Sequence, residues 1–228
     1  MNRRALLSLS SELAERGVAV VDGLFSEPLL SGLSAQLLAL QEEEALSPAQ
    51  VGRGAERQRI LNVRGDMICW LPPPPLTLPP TDLGLLTATS ERPTSPAESD
   101  FYQEIQDLVA HFNRWFFMGL RSYEFHYAYY AQGAGYERHS DRFKGSDERV
   151  ISFITYLNPS WRPGDGGELK IYLPSDLEGG VFDPHSGERH LLVSPTWGVT
   201  VCFESERFEH EVLPAYAPRQ SVTGWLRR

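Results

Sequence analysis

The chain has 228 residues, of which 41% are hydrophobic and 22% charged, with a net charge of −9. That length can bury a substantial core, and the composition is that of an ordinary globular protein. The acidic balance argues against a protein that grips phosphate backbones, no stretch approaches the 18 or so apolar residues of a membrane span, and Cys69 and Cys202, with no CxxC pair, suggest neither a zinc knuckle nor a disulfide framework but two buried thiols in a reducing cytoplasm.

Residues 3–16 read as a helix; their apolar run soon meets Glu12, Glu15 and Arg16, which excludes a signal peptide. Residues 17–22 form a short apolar strand bounded by Gly17 and Asp22. Ser26 then caps a second helix with Pro28 in its first turn, and Leu29, Leu30, Leu33, Leu37, Leu38 and Leu40 give it an apolar stripe to about Glu44. Residues 45–60 are polar and weakly patterned, so a mobile loop is expected. Residues 71–98 are rich in proline, which blocks helix and ladder hydrogen bonds alike, and predict an extended surface connection. A third helix is expected from Ser99 to about Met118, with Phe101, Ile105, Leu108, Val109, Phe112, Trp115 and Phe116 as its core face.

From residue 122 the texture turns to β, with candidate strands at 123–130, 149–157, 167–173, 189–193, 198–203, 209–214 and 220–226, separated by Gly, Pro, Asp and Asn. Many short strands after helices predict an α+β fold, mainly β. A double-stranded β-helix (jelly-roll) core would carry the N-terminal helices packed on one sheet. The chain reads as one domain over 1–228, with 1–121 as helical support and 122–228 as the β core.

Within the β half, the stretch Gly135-Tyr136-Glu137-Arg138-His139-Ser140-Asp141 follows a glycine-rich break. Residues two apart on a strand share a face, so His139 and Asp141 can serve as two ligands of one metal while Ser140 turns away. A third ligand must come from elsewhere. His111 sits in the aromatic helix, His126 alternates within a strand, and His185 and His190 lie around a hairpin loop. His210 lies between two late strands, with Arg219 shortly after it. Two histidines and a carboxylate on one face of iron leave positions open for oxygen chemistry. The Arg219 guanidinium fork suits a carboxylate co-substrate.

HxD, a distant His and then Arg resemble the Fe(II)/2-oxoglutarate dioxygenase superfamily. The segments YYAQGAGYERHSDRF, RVISFITYLNPSW, GGELKIY and HEVLPAYAPRQSVTGW are similar to those of the prolyl hydroxylases that act on hypoxia-inducible factor, and of the bacterial enzymes that hydroxylate elongation factor Tu. Upstream, Arg64-Gly65-Asp66-Met67-Ile68-Cys69-Trp70 resembles the RGD…W segment of those enzymes. The resemblance spans roughly 18–226 and lapses across 45–58 and 71–98.

The resemblance implies that His139, Asp141 and His210 bind Fe(II), and that Arg219, assisted by Tyr156, binds the far carboxylate of 2-oxoglutarate. By the same likeness Tyr129 approaches the co-substrate; Thr223, on the strand face of Arg219, is a further candidate. Tyr136, Arg149 and Trp225 would line the mouth, and Arg64 and Asp66 a loop folding toward it, gripping a peptide around its target proline. The implied reaction uses O2, yields succinate and CO2, and takes ascorbate as reductant. The partner is a proline-containing protein or peptide, not nucleic acid or a membrane.

Three rivals share parts of this pattern. A hydroxylase of free amino acids or small metabolites would keep the same metal and co-substrate residues. A nucleic-acid demethylase would carry a basic lid and a further arginine soon after Arg219, where Gln220 to Trp225 stand. A jelly-roll binding or sensor protein, or a cupin-like isomerase, would not need His139, Asp141, His210 and Arg219 together.

Overall fold

The computed structural model describes residues 1–50, 63–73, 92–141 and 148–228. Helix α1 (Arg3–Arg16) is opened by Asn2, whose side-chain oxygen accepts from the Arg4 amide at 2.9 Å, and closed by Gly17 at φ 71°. Glycine takes this left-handed conformation without a Cβ clash. Ala5, Leu9 and Leu13 form the buried face of α1. Strand β1 (Val18–Val21) follows, then α2 (Glu27–Glu42), at whose N-cap the Ser26 side chain makes no capping hydrogen bond.

Helix α3 (Pro96–Phe116) begins upstream of the expected Ser99. The reason is a capping box. The Ser95 hydroxyl accepts from the Glu98 amide at 3.3 Å, and the Glu98 carboxylate accepts from the Ser95 amide at 2.8 Å. Pro96 sits in the first turn, where a missing N–H costs nothing. Phe101, Ile105, Leu108 and Phe112 are fully buried, but Trp115, expected in the core, is 66% exposed. Periodicity gives the direction of an apolar stripe, not how far along the helix the core extends.

The strands are β2 (Ser47–Pro48), β3 (Met67–Trp70), β4 (Ser122–Tyr130), β5 (Tyr136–His139), β6 (Arg149–Tyr156), β7 (Leu169–Leu173), β8 (Val181–Phe182), β9 (Arg189–Val193), β10 (Thr200–Glu204), β11 (His210–Val212) and β12 (Arg219–Arg227). They form a major antiparallel sheet in the order β1-β10-β6-β12-β4-β3-β2 and a minor one in the order β5-β11-β7-β9-β8. The fold is mostly β, as expected, with the two-sheet layout of a jelly roll and the helices on one sheet. The expected loop at 45–60 contains β2, which pairs with β3; its residues 51–60 lie outside the described residues.

Alternation splits the major sheet into two faces. Phe125, Tyr127, Ile151, Phe153, Cys202, Val222 and Leu226 pack with the three helices. Ala128, Tyr130, Ile154, Tyr156, Val201 and Phe203 face the minor sheet and meet Leu169, Ile171 and Val212. In β12, Gly224 permits the close approach of β4: a Cβ there would lie 2.1 Å from the Glu124 carbonyl oxygen.

Most of the proline-rich stretch, residues 74–91, lies outside the described residues. Its two flanks are anchored on α3. The Pro72 carbonyl accepts from the Tyr102 hydroxyl at 2.6 Å, and Arg92 pairs with the buried Glu98. Among the described residues no helix is long and apolar enough to cross a membrane.

Candidate active site

The chain places His139 at the end of β5 and His210 at the start of β11, directly opposite in the ladder of the minor sheet. Asp141 follows just beyond β5. One Asp141 oxygen lies 3.7 Å from His139 Nε2 and the other 3.5 Å from His210 Nε2. The three ligand atoms fall within 4.8 Å of one another.

The surroundings fix how these groups are presented. His139 Nδ1 is 2.7 Å from the Glu137 carbonyl oxygen. A carbonyl only accepts, so Nδ1 carries the proton and Nε2 keeps its lone pair for a metal. His210 Nδ1 faces the Phe208 carbonyl in the same sense at 3.4 Å. Tyr136 stacks on His139 with centroids 3.6 Å apart, and Phe203 meets His210 edge-on. Ser152 donates to Asp141 at 2.7 Å and is itself joined to Ser205 at 2.8 Å. Ser140 turns away, as expected, and donates to the Ser205 carbonyl.

Burial, with His210 beside it, lowers the His139 pKa to about 3, which favours the neutral ring. Burial alone would raise Asp141, but His210, His139, the Ser152 hydroxyl and Arg149 outweigh it and hold the carboxyl well below its usual range. Two imidazoles, each offering a ring nitrogen, and an ionised carboxylate on one side of a point are the donor set of a facial non-haem iron site.

Arg219 opens β12 on the same inter-sheet space. It is 3% exposed, and its guanidinium lies between the rings of Tyr130 at 4.8 Å and Tyr156 at 5.0 Å. Its Nε donates to the Gly167 carbonyl at 2.8 Å. Among the described residues no carboxylate pairs with this buried cation. The fully buried Tyr156 hydroxyl has no hydrogen-bond partner there either. A buried charge without a counter-ion is costly, so the pocket is made for an anion. Thr223 joins the chain through Ser221, its hydroxyl 3.1 Å from that of Ser221.

Tyr129 does not reach this pocket. Arg219 stands opposite Tyr130 in the ladder, and directly opposed residues share a face, so Tyr129 points to the other side of the sheet. The tyrosine of β4 beside Arg219 is Tyr130. Sequence reasoning missed it because two adjacent tyrosines differ only in parity, which the register with β12 decides. Ser152, Ser205 and the Glu137 carbonyl were missed as well; polar residues that support ligands leave no motif.

The remaining candidates cluster at one edge. The 63–65 segment pairs with β5, where Glu137 N donates to the Val63 carbonyl at 2.8 Å and Gly65 N to the Gly135 carbonyl at 2.9 Å. The chain then crosses to the major sheet as β3, so Arg64 and Asp66 sit where the two sheets are bridged. Arg64 holds Asp66 through two hydrogen bonds, of 2.8 and 3.0 Å, and lies over the Tyr136 ring. Trp225, expected at the mouth, is only 6% exposed: Arg149 covers its ring at 3.4 Å, and His126 stacks on it at 5.6 Å. Trp70 packs against that same histidine at 5.0 Å.

The β half, residues 125–227, matches the family model of the 2OG-Fe(II) oxygenase superfamily. A Pseudomonas putida prolyl-4-hydroxylase structure superposes with a TM-score of 0.77 at 30% identity, covering 98% of this chain and 99% of that one. The chain belongs to the 2OG-Fe(II) oxygenase superfamily. It is 25% identical to human Egl nine homolog 1 over 221 residues, covering 92% of this chain and 44% of that protein, so it spans less than half the length of that relative. The fold is shared with a Trichoplax adhaerens prolyl hydroxylase in complex with a hypoxia-inducible factor peptide fragment, at a TM-score of 0.73 and 23% identity, covering 98% of this chain and 89% of that one.

Proposed function

We propose that this oxygenase is a dioxygenase that uses Fe(II) and 2-oxoglutarate to hydroxylate a prolyl residue in a protein substrate. The observation that carries the reading is the buried Arg219, with no carboxylate partner among the described residues, beside the unpartnered Tyr156 hydroxyl on the inter-sheet side where Phe203 meets His210. The donor chemistry of those three residues fits iron. Iron with 2-oxoglutarate and O2 bound there supplies the oxidation of an unactivated C–H, with succinate and CO2 as co-products.

The protein's own residues do the positioning. His139 and His210 present Nε2 lone pairs because backbone carbonyls hold their Nδ1 protons. Asp141 is held ionised by the groups around it, the Ser152 hydroxyl that donates to it among them. Arg219 receives the distal carboxylate of the co-substrate, Tyr156 adds a hydroxyl donor, and Thr223 supports the far end through Ser221. The inter-sheet core excludes water around them. Arg64, Asp66, Tyr136, Arg149 and Trp225 form the substrate rim of this reading, with the Arg64–Asp66 pair bracing the rim. In this reading residues 1–228 act as one catalytic domain of a cytoplasmic protein, and the free thiols of Cys69 and Cys202 accord with that compartment.

The test uses purified protein with Fe(II), 2-oxoglutarate and ascorbate, and peptides covering the proline-containing loops of elongation factor Tu. One added oxygen on a proline, dependent on iron and 2-oxoglutarate and lost in His210→Ala, is the expected result. Succinate without a modified peptide would move the substrate to free amino acids. Normal succinate from His210→Ala would overturn the triad.

A further inference from the structure

Strand β5 pairs with β11 at only two positions, His139 with His210 and Tyr136 with Val212, and the register shifts between them. Glu137 and Arg138 therefore oppose the single residue Glu211. This is a β-bulge, which inserts one extra residue and re-aims its neighbours. The bulge includes the carbonyl that holds the ligand ring: His139 Nδ1 donates to Glu137 O at 2.7 Å. The 63–65 segment holds the other edge of β5, but it binds residue 137 through the amide, which donates to the Val63 carbonyl, and not through the carbonyl.

On the outer face of the minor sheet, the Arg138 side chain of β5 reaches Tyr172 of β7 and the residues just before β9 and β11, Glu188 and Glu209. Its Nη2 lies 2.6 Å from Glu209 Oε2 and its Nε 2.8 Å from the same oxygen. Its Nη1 and Nη2 donate to both Glu188 oxygens at 2.9 and 3.0 Å, and its guanidinium covers the Tyr172 ring of β7 at 3.7 Å. Tyr172 in turn donates to Glu211 at 2.7 Å. The residues immediately before the two histidine ligands, Arg138 and Glu209, are thus joined behind them.

We propose that Arg138 is a positioning residue for the metal centre: by clamping the bulge to Glu209, Glu188 and Tyr172 it fixes the Glu137 carbonyl, and through it the aim of His139 toward the site shared with His210. The inference rests on the metal-site reading above. Arg138 itself touches neither metal nor substrate. Its side chain is 37% exposed, so as a stability element it counts for little. As a support for a ligand it counts for more, because groups that orient metal ligands typically carry about 10- to 100-fold in metal affinity.

The experiment strips the full-length protein of metal and titrates it with Co(II), reading affinity by calorimetry and ligand geometry from the d–d absorption. Arg138→Ala is expected to bind Co(II) about tenfold more weakly, with altered d–d bands, at a melting temperature close to that of the parent protein. Glu209→Ala should shift affinity in the same direction, and the double variant should lose no more than Arg138→Ala alone, since both remove one clamp. Unchanged affinity and bands in Arg138→Ala would overturn the proposal, as would fully additive losses. Parent-like Co(II) binding by His210→Ala would overturn the triad instead.

Discussion

At Arg219, a buried guanidinium that pairs with no carboxylate among the described residues favours an anion in this pocket, because an anion offsets its desolvation. Arg219→Ala should weaken 2-oxoglutarate binding by roughly 10- to 100-fold, the worth of a charge-assisted pair of about 1.5–3 kcal/mol, in a calorimetric titration of the metal-loaded protein. Tyr156→Phe removes a single donor and should cost several-fold in the same titration. The neighbouring tyrosines separate the two faces of β4. Tyr130→Phe should alter co-substrate binding, whereas Tyr129→Phe should leave it unchanged; the reverse result would contradict the register of β4 with β12. His139, Asp141, His210 and Arg219 were legible as residues because their chemistry is rare in combination. Tyr130 was not, because its role depends on a pairing partner far along the chain.

At the scale of elements, local signals were read well where they repeat and poorly where they are brief. The apolar stripe of α2 placed that helix, while the Ser95–Glu98 box lay hidden in proline-rich texture. Ser95→Ala should cost about 1 kcal/mol in urea unfolding, the usual worth of an N-cap. The crossover from the edge of β5 to β3 depends on the Arg64–Asp66 pair, in which the Asp66 side chain is fully buried. Arg64→Ala would strand that carboxylate and should destabilise the protein by about 3 kcal/mol. The substrate role proposed for Arg64 is therefore best tested with Arg64→Lys, which should retain succinate production and lose coupling to peptide hydroxylation.

Across the whole molecule, the acid side of the stability curve follows from histidines held neutral. His126 is fully buried, packed against both Trp70 and Trp225; burial, with Arg64 and Arg149 nearby, pushes its pKa well below 6.5 against the opposing pull of Asp141. His139 is lowered in the same sense. The unfolded chain protonates these rings near 6.5, so it binds more protons than the folded chain below that value, and stability falls as the pH drops. Asp141, depressed below its ordinary 3.8, adds loss of the same sign only at still lower pH. The metal-free protein should therefore lose stability between pH 7 and 5, by up to about 2 kcal/mol for each such histidine. His126→Phe should flatten this slope in thermal unfolding at several pH values.

By itself the sequence determined the mostly β fold with its supporting helices, the grouping of His139, Asp141 and His210 with Arg219 as candidates, and the family resemblance. These follow from residue chemistry and from periodicities of two and 3.6, both local along the chain. Only the tertiary structure decided that Tyr130 rather than Tyr129 faces the pocket, that Trp225 lies beneath Arg149, that the RGD segment bridges the two sheets, and that a bulge backs His139. Each is a matter of register between strands distant in sequence, and a one-residue slip in pairing reverses which side chains meet.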